Sequence, residues 1–212
     1  MRYIVSELNP HVYELFPSLI YCTPFLTKEE CEMYVKCLDN VEKESLPVAQ
    51  RPLYQTTDKL HLLNDTWKKL SDRIIDVVNS VADHQHIIRD SLYNTNMWAN
   101  IPAGPGYFHA KHSHPNCFFS SIIYLRGNKS SKTIFHDPRP QTTMLMPDYS
   151  QSNRYNTTAF RLPFEEGFIA IFPAWLTHNV LSEGNDNSNR ITLTCNTMMH
   201  FESTTKTTYL KI

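Results

Sequence analysis

Two segments repeat apolar residues every three to four positions, and each opens on a helix-start signal. Thr27-Lys28-Glu29-Glu30 has the form of a capping box, and Cys31, Tyr34, Val35, Leu38 and Val41 then recur on one face. Asn64-Asp65 starts a longer helix whose stripe is Trp67, Leu70, Ile74, Val77, Val78 and Val81, with Lys68, Lys69, Asp72, Arg73 and Asp76 on the solvated side. Ahead of both, Leu15–Cys22 predicts an opening strand ended by Thr23-Pro24. From Leu92 onward the pattern changes to short runs broken by Pro, Gly and Asn. It predicts strands at Asn96–Ile101, Phe118–Leu125, Thr133–Phe135, Ala159–Leu162, Phe168–Phe172, Asn179–Leu181, Arg190–Met199 and Thr207–Ile212. Glu165-Glu166-Gly167 and Ser182–Asn189 are turn chemistry, and Pro138–Asn156 is a long polar segment of the kind that covers or selects a substrate. The sum is a mainly β, α+β chain: an antiparallel sandwich or barrel flanked by two helices.

Composition narrows this picture. A chain of 212 residues, 41 % of them apolar, buries one sizeable core, so a single domain over 1–212 is expected. A formal charge of −1 with no basic run argues against nucleic acid or a membrane surface as partner. Aromatic residues make up 12 %, which suits a β-rich core with a lined pocket. The start of the chain lacks a secretory pattern, and no run approaches the roughly 20 apolar residues of a membrane helix. Five scattered cysteines read as reduced thiols, and the expected location is the cytoplasm.

The chemistry concentrates in His112-Ser113-His114-Pro115-Asn116, directly ahead of the apolar run to Leu125. On an extended backbone, side chains two apart share a side, so both imidazoles reach one point, and neutral imidazole is the commonest metal ligand. His178, 64 residues after His114, is the candidate third member, with Arg190 following twelve residues later. Arg190 opens an alternation of Ile191, Leu193 and Cys195 against Thr192, Thr194 and Asn196; pointed inward, it needs an anion, and a dicarboxylate accepted bidentately is the natural one. Asn100 and Asn196 are candidate donors to co-substrate or metal-bound water. Arg139, where the long loop begins, is a candidate substrate contact. Trp98, Phe118, Phe119, Phe172 and Trp175 are assigned to core and pocket wall. His109 and His136 also lie near, so histidine is frequent in this region generally.

Taken in order, Trp98-Ala99-Asn100, His112-Ser113-His114-Pro115-Asn116, Ser120–Leu125, Asp137-Pro138-Arg139, Glu166-Gly167, Phe172-Pro173 with His178, and Arg190-Ile191-Thr192 resemble the iron(II)- and 2-oxoglutarate-dependent dioxygenases. The resemblance runs from Leu15-Phe16-Pro17 to Asn196. It is nearest to the prolyl-4-hydroxylase-like branch, and within it to an uncharacterised bacterial and phage group. It implies a double-stranded β-helix (jelly-roll) core at 91–212 on a helical support region at 1–90. It also implies Fe(II) and 2-oxoglutarate, with ascorbate as an accessory reductant, and a small-molecule or peptidyl substrate hydroxylated with release of succinate and CO2. His112 and His178 match iron ligands, and Arg190 and Tyr124 match the residues that hold the C5 carboxylate of 2-oxoglutarate. No side-chain acid or base is implied. The chain departs from the superfamily at His114, where a carboxylate is usual. Three readings stay open there: His114 itself completes the site, Asp137 supplies the carboxylate from a neighbouring strand with His114 behind it, or the site has lost iron. Two other classes stay open: a non-catalytic cupin-like binding module, and a three-histidine zinc hydrolase.

Overall fold

Thr27 caps a helix as its sequence demands. In the computed structural model, Glu30 N–H donates to Thr27 Oγ1 (3.2 Å) and Thr27 N–H to Glu30 Oε2 (2.9 Å), closing the capping box on α1 (Lys28–Cys37). The structure describes residue 11 and residues 13–45, 53–104, 106–127, 132–181, 189–204 and 209–211. After a single four-residue turn, α2 (Leu60–Leu63), Asn64 caps α3 (Asp65–His84) by accepting from the N–H groups of Thr66 and Trp67 at 3.0 and 3.2 Å. Its predicted stripe is buried except Val77, which is half-buried at the edge of the core. Arg73 joins the two long helices: its guanidinium donates to Glu30 Oε1 (2.7 Å) and to the Phe25 carbonyl (2.9 Å). Both charged partners of the Arg73–Glu30 pair are partly exposed, at 40 % and 32 %, so the pair contributes at most about 1 kcal/mol. Among the described residues, no helix is long and apolar enough to cross a membrane.

The strands are β1 (Tyr21–Pro24), β2 (Lys43–Ser45), β3 (Leu53–Thr56), β4 (Ser91–Pro102), β5 (His109–His112), β6 (Phe119–Arg126), β7 (Thr133–His136), β8 (Ala159–Leu162), β9 (Phe168–Pro173), β10 (His178–Val180), β11 (Ile191–His200), β12 (Glu202–Thr204) and β13 (Tyr209–Lys211). Seven form one sheet in the order β1-β9-β6-β11-β4-β3-β2, four form a second in the order β5-β10-β7-β8, and β12 and β13 pair separately. Several expectations change. The opening strand is Tyr21–Pro24, not Leu15–Cys22; Leu15, Phe16 and Leu19 are exposed, and Phe16 turns the chain with φ +58° just before Pro17. The helical support region also contributes β1, β2 and β3 to the main sheet. Tyr209–Lys211 of the predicted last strand is a strand, and its positions 207, 208 and 212, like the turn at 182–188, lie outside the described residues.

The central strands wall two separate cores. Met97 and Ala99 of β4, Ile123 and Leu125 of β6, Ile169 and Ile171 of β9, and Leu193 and Cys195 of β11 pack with the helix stripes. The intervening residues Ile122 and Tyr124 of β6 and Ala170 and Phe172 of β9 pack instead with Phe135, Leu162, Phe164 and Leu176, toward the second sheet. This is the period-two consequence of a sheet covered on both faces. It also explains β11: its polar half is buried, because Thr192, Thr194 and Asn196 face the interior between the sheets rather than water.

Gly167 ties these layers together. Its carbonyl accepts from Phe25 and Leu26 N–H (2.9 and 2.8 Å), and its N–H donates to the Tyr124 carbonyl (2.8 Å). Its φ is +81°, and an added Cβ would collide with the Leu26 carbonyl oxygen, a backbone atom that cannot swing away. Gly167→Ala should therefore cost at least about 2 kcal/mol, from left-handed strain plus the clash. That is roughly 4–8 °C in melting temperature for a chain of this size. A thermal melt indistinguishable from the parent's would contradict it.

Candidate metal centre

His112 ends β5, His114 follows it, and His178 opens β10, directly opposite His112 in the ladder. The second sheet therefore does what the 64-residue separation of His114 and His178 required. One ligand atom from each of the three lies within 4.8 Å of the others. His112 Nδ1 sits 2.7 Å from the Ala110 carbonyl and His178 Nδ1 sits 3.0 Å from that of Leu176. A carbonyl only accepts, so both Nδ1 atoms carry the hydrogen, and each neutral ring keeps its lone pair on Nε2. His178 Nε2 faces His114 Nε2 at 3.3 Å with the rings nearly parallel. Nitrogens each about 2.1 Å from one ion lie about 3.0–3.4 Å apart between octahedral and tetrahedral angles, so the spacing suits a shared cation.

Burial sets the protonation state. It pushes His114 down to about 4 and His178 down to about 2, with the charge His112 would carry adding to both, and burial lowers His112 as well. All three are thus neutral at pH 7, the form that binds metal. Packing fixes the rings further: Trp98 lies over His114, and Phe172 meets His178 edge-on.

Arg190 stands just before β11 and is 3 % exposed. It points inward, as expected. Its guanidinium donates to Thr133 Oγ1 (3.0 Å) and, at 3.4 Å, to Tyr107 Oη and Thr192 Oγ1, and it lies over the Tyr124 ring. Its Nε is buried with no partner, and no carboxylate among the described residues pairs with it. A buried cation held only by neutral hydroxyls is poised for an anion. Tyr124 Oη bonds Thr133 Oγ1 at 2.9 Å in the same enclosure, and burial raises both its phenol and that of Tyr107.

Other expectations change. The Asp137 carboxylate, the alternative ligand, is gripped by Arg139 through Nε (3.0 Å) and Nη2 (2.8 Å), which also holds Arg139 close to the root of the loop. Asp137 lies outside the three-histidine group. Asn100 is buried, with its amide accepting from Gln55 (2.7 Å) and donating to Thr194 (3.1 Å), so it braces the wall. Asn196 accepts from Ser120 at 3.2 Å. Phe119 and Phe172 are buried as predicted, but Trp175 and Phe118 are 56 % and 41 % exposed, at the surface rather than in the core. Tyr107 and Thr133 were not singled out by sequence; a tyrosine directly after the Gly104-Pro105-Gly106 turn was the available signal for the first.

Two facing antiparallel sheets with an imidazole cluster between them define a double-stranded β-helix protein. Residues 96–196 match the family described as "Putative 2OG-Fe(II) oxygenase", so this part of the chain is similar to the 2-oxoglutarate–iron(II) oxygenases. The fold is shared with HygX from Streptomyces hygroscopicus, solved with nickel and 2-oxoglutarate, at a TM-score of 0.62 and 9 % identity over 85 % of this chain and 83 % of that one. It is also shared with a Pseudomonas putida prolyl-4-hydroxylase (0.60, 11 %, over 85 % and 92 %). The α-ketoglutarate-dependent epimerase SnoN of nogalamycin biosynthesis is similar at 0.62 and 14 % over 85 % and 78 %. No curated protein sequence matches the chain.

Proposed function

We propose that His112, His114 and His178 hold iron(II), and that Arg190 and Tyr124, with Tyr107 and Thr133, hold the C5 carboxylate of 2-oxoglutarate. The observation that carries this is the pairing of three convergent imidazoles with a buried arginine that meets no carboxylate among the described residues. Iron(II), when bound, would supply oxygen activation coupled to decarboxylation of 2-oxoglutarate to succinate and CO2 and to hydroxylation of a C–H bond. The chain's own residues bind, orient and exclude water. The carbonyls of Ala110 and Leu176 fix the ring tautomers, an outer layer that usually governs metal affinity. With three neutral ligands the ion keeps its full positive charge, and Arg190 adds another, so the enclosure favours a dianion.

The substrate is read as a small molecule or a peptidyl residue. The segment 138–156 leaves β7 beside His178, since His136 N–H donates to the Thr177 carbonyl, and it returns to β8 where Asp137 N–H meets Thr158 O. It exposes Met144, Leu145 and Met146, an apolar set suited to close over a bound substrate, with Arg139 at its root as the proposed contact. We read the chain as one domain, with β1–β3 of the first 90 residues pairing into the main sheet. The free state of all five cysteines supports a cytoplasmic location. The test is succinate release. Anaerobically purified protein loaded with Fe(II), then given oxygen, ascorbate and 2-oxoglutarate, should form succinate above a metal-free control. Tight zinc with no succinate across small-molecule and prolyl-peptide panels would sink the proposal.

A further inference from the structure

His109 has no part in that account, yet it faces the same space. It opens β5, and its ring centroid lies 4.3 Å from that of His112. Residues three apart on a regular strand point to opposite faces. Here the ladder slips: His178 stands opposite His112, but Val180 stands opposite His109, so three steps on β5 match two on β10. The bulge brings both imidazoles to one side, as bulges beside functional sites commonly do. His109 is half-buried, and its ring nitrogens have no hydrogen-bond partner among the described residues. It is not a fourth ligand: the convergent group comprises His112, His114 and His178 without it.

We propose that His109 is a positioning residue for the co-substrate, its ring N–H donating to a carboxylate oxygen of the dicarboxylate held between the imidazole cluster and Arg190. This rests on the co-substrate assignment under Proposed function. A site with no ligand carboxylate presents only neutral or positive groups to the dianion, and an unpartnered donor beside the metal face completes that set.

The experiment is an anaerobic titration of the Fe(II)-loaded protein with 2-oxoglutarate, followed through the visible charge-transfer absorption of the complex, with metal content assayed separately. His109→Phe should raise the 2-oxoglutarate Kd at least about tenfold, the effect of one lost hydrogen bond to a charged group, shift the absorption maximum, and leave metal content unchanged. His109→Gln, which keeps an N–H donor, should return the Kd to within about threefold of the parent. If His109→Phe does not fold, His109→Leu, smaller than imidazole, carries the same expectation. Parent-like Kd and absorption in the donor-free variant would overturn the proposal, and so would loss of metal, which would make His109 a ligand. Arg190→Met in the same titration separates the two levels. If Arg190→Met weakens binding and His109→Phe does not, only His109's role falls; if neither does, the co-substrate assignment falls with it.

Discussion

His178→Ala should lose its metal and keep its fold. The side chain is buried and contributes one of three convergent nitrogens, so its removal leaves a two-imidazole site that cannot enclose an ion from one side. Loss of an outer hydrogen-bond partner of a ligand alone typically costs 10–100-fold in metal affinity, and loss of the ligand itself should exceed roughly a hundredfold. The fold should survive because His178 opens a three-residue strand whose backbone pairing to β5 and β7 is retained. Metal analysis after dialysis against a weak chelator, alongside circular dichroism, checks both halves. Retention of one equivalent of iron by the folded variant would remove His178 from the ligand set.

Arg190→Met should do the reverse. No ligand is lost, so metal content should stay near the parent's, while the 2-oxoglutarate requirement should rise at least about tenfold, roughly 1.4 kcal/mol for a lost charge-assisted pair. A second consequence has the opposite sign. Arg190 is 3 % exposed, and among the described residues its guanidinium meets only hydroxyls and an aromatic ring, so without co-substrate it is a desolvated charge with no counter-ion among them. Methionine fills similar space at no such cost, and the variant without co-substrate should melt no lower than the parent. The parent should gain stability as 2-oxoglutarate is added, in proportion to the logarithm of its concentration above Kd, and the variant should gain much less. Equal thermal shifts in the two proteins would show that the carboxylate binds elsewhere.

Much of the frame was legible because its signals are local. The Thr27–Glu30 box, the Asn64 cap and the two helix stripes are properties of a few adjacent residues, and the structure carries them nearly unchanged. The His112-x-His114 pair was visible for the same reason. What escaped notice depends on partners far along the chain. Lys43-Glu44-Ser45 and Leu53-Tyr54-Gln55-Thr56 show no apolar alternation, and become strands only because β4 offers an edge for β3 and β3 one for β2. His109-Ala110-Lys111-His112 is too polar to read as a strand, and pairs because β10 lies beside it. Two of the three hydroxyls on Arg190 come from residues 57 and 83 positions away, a distance over which spacing says nothing. Phe118 and Trp175 misled because aromatic character marks burial only on average, and both stand partly in water.

The double duty of the central strands bears on how such a chain can change over time. In β4, β6, β9 and β11 every second residue belongs to the helix-side core, and the residues between them look into the enclosure that holds the histidines. Drift can therefore alter what the enclosure accepts while the melting temperature stays governed by neighbours one position away. A descendant with a new substrate would differ at alternate positions of the same four strands, leaving the helix contacts of its ancestor in place.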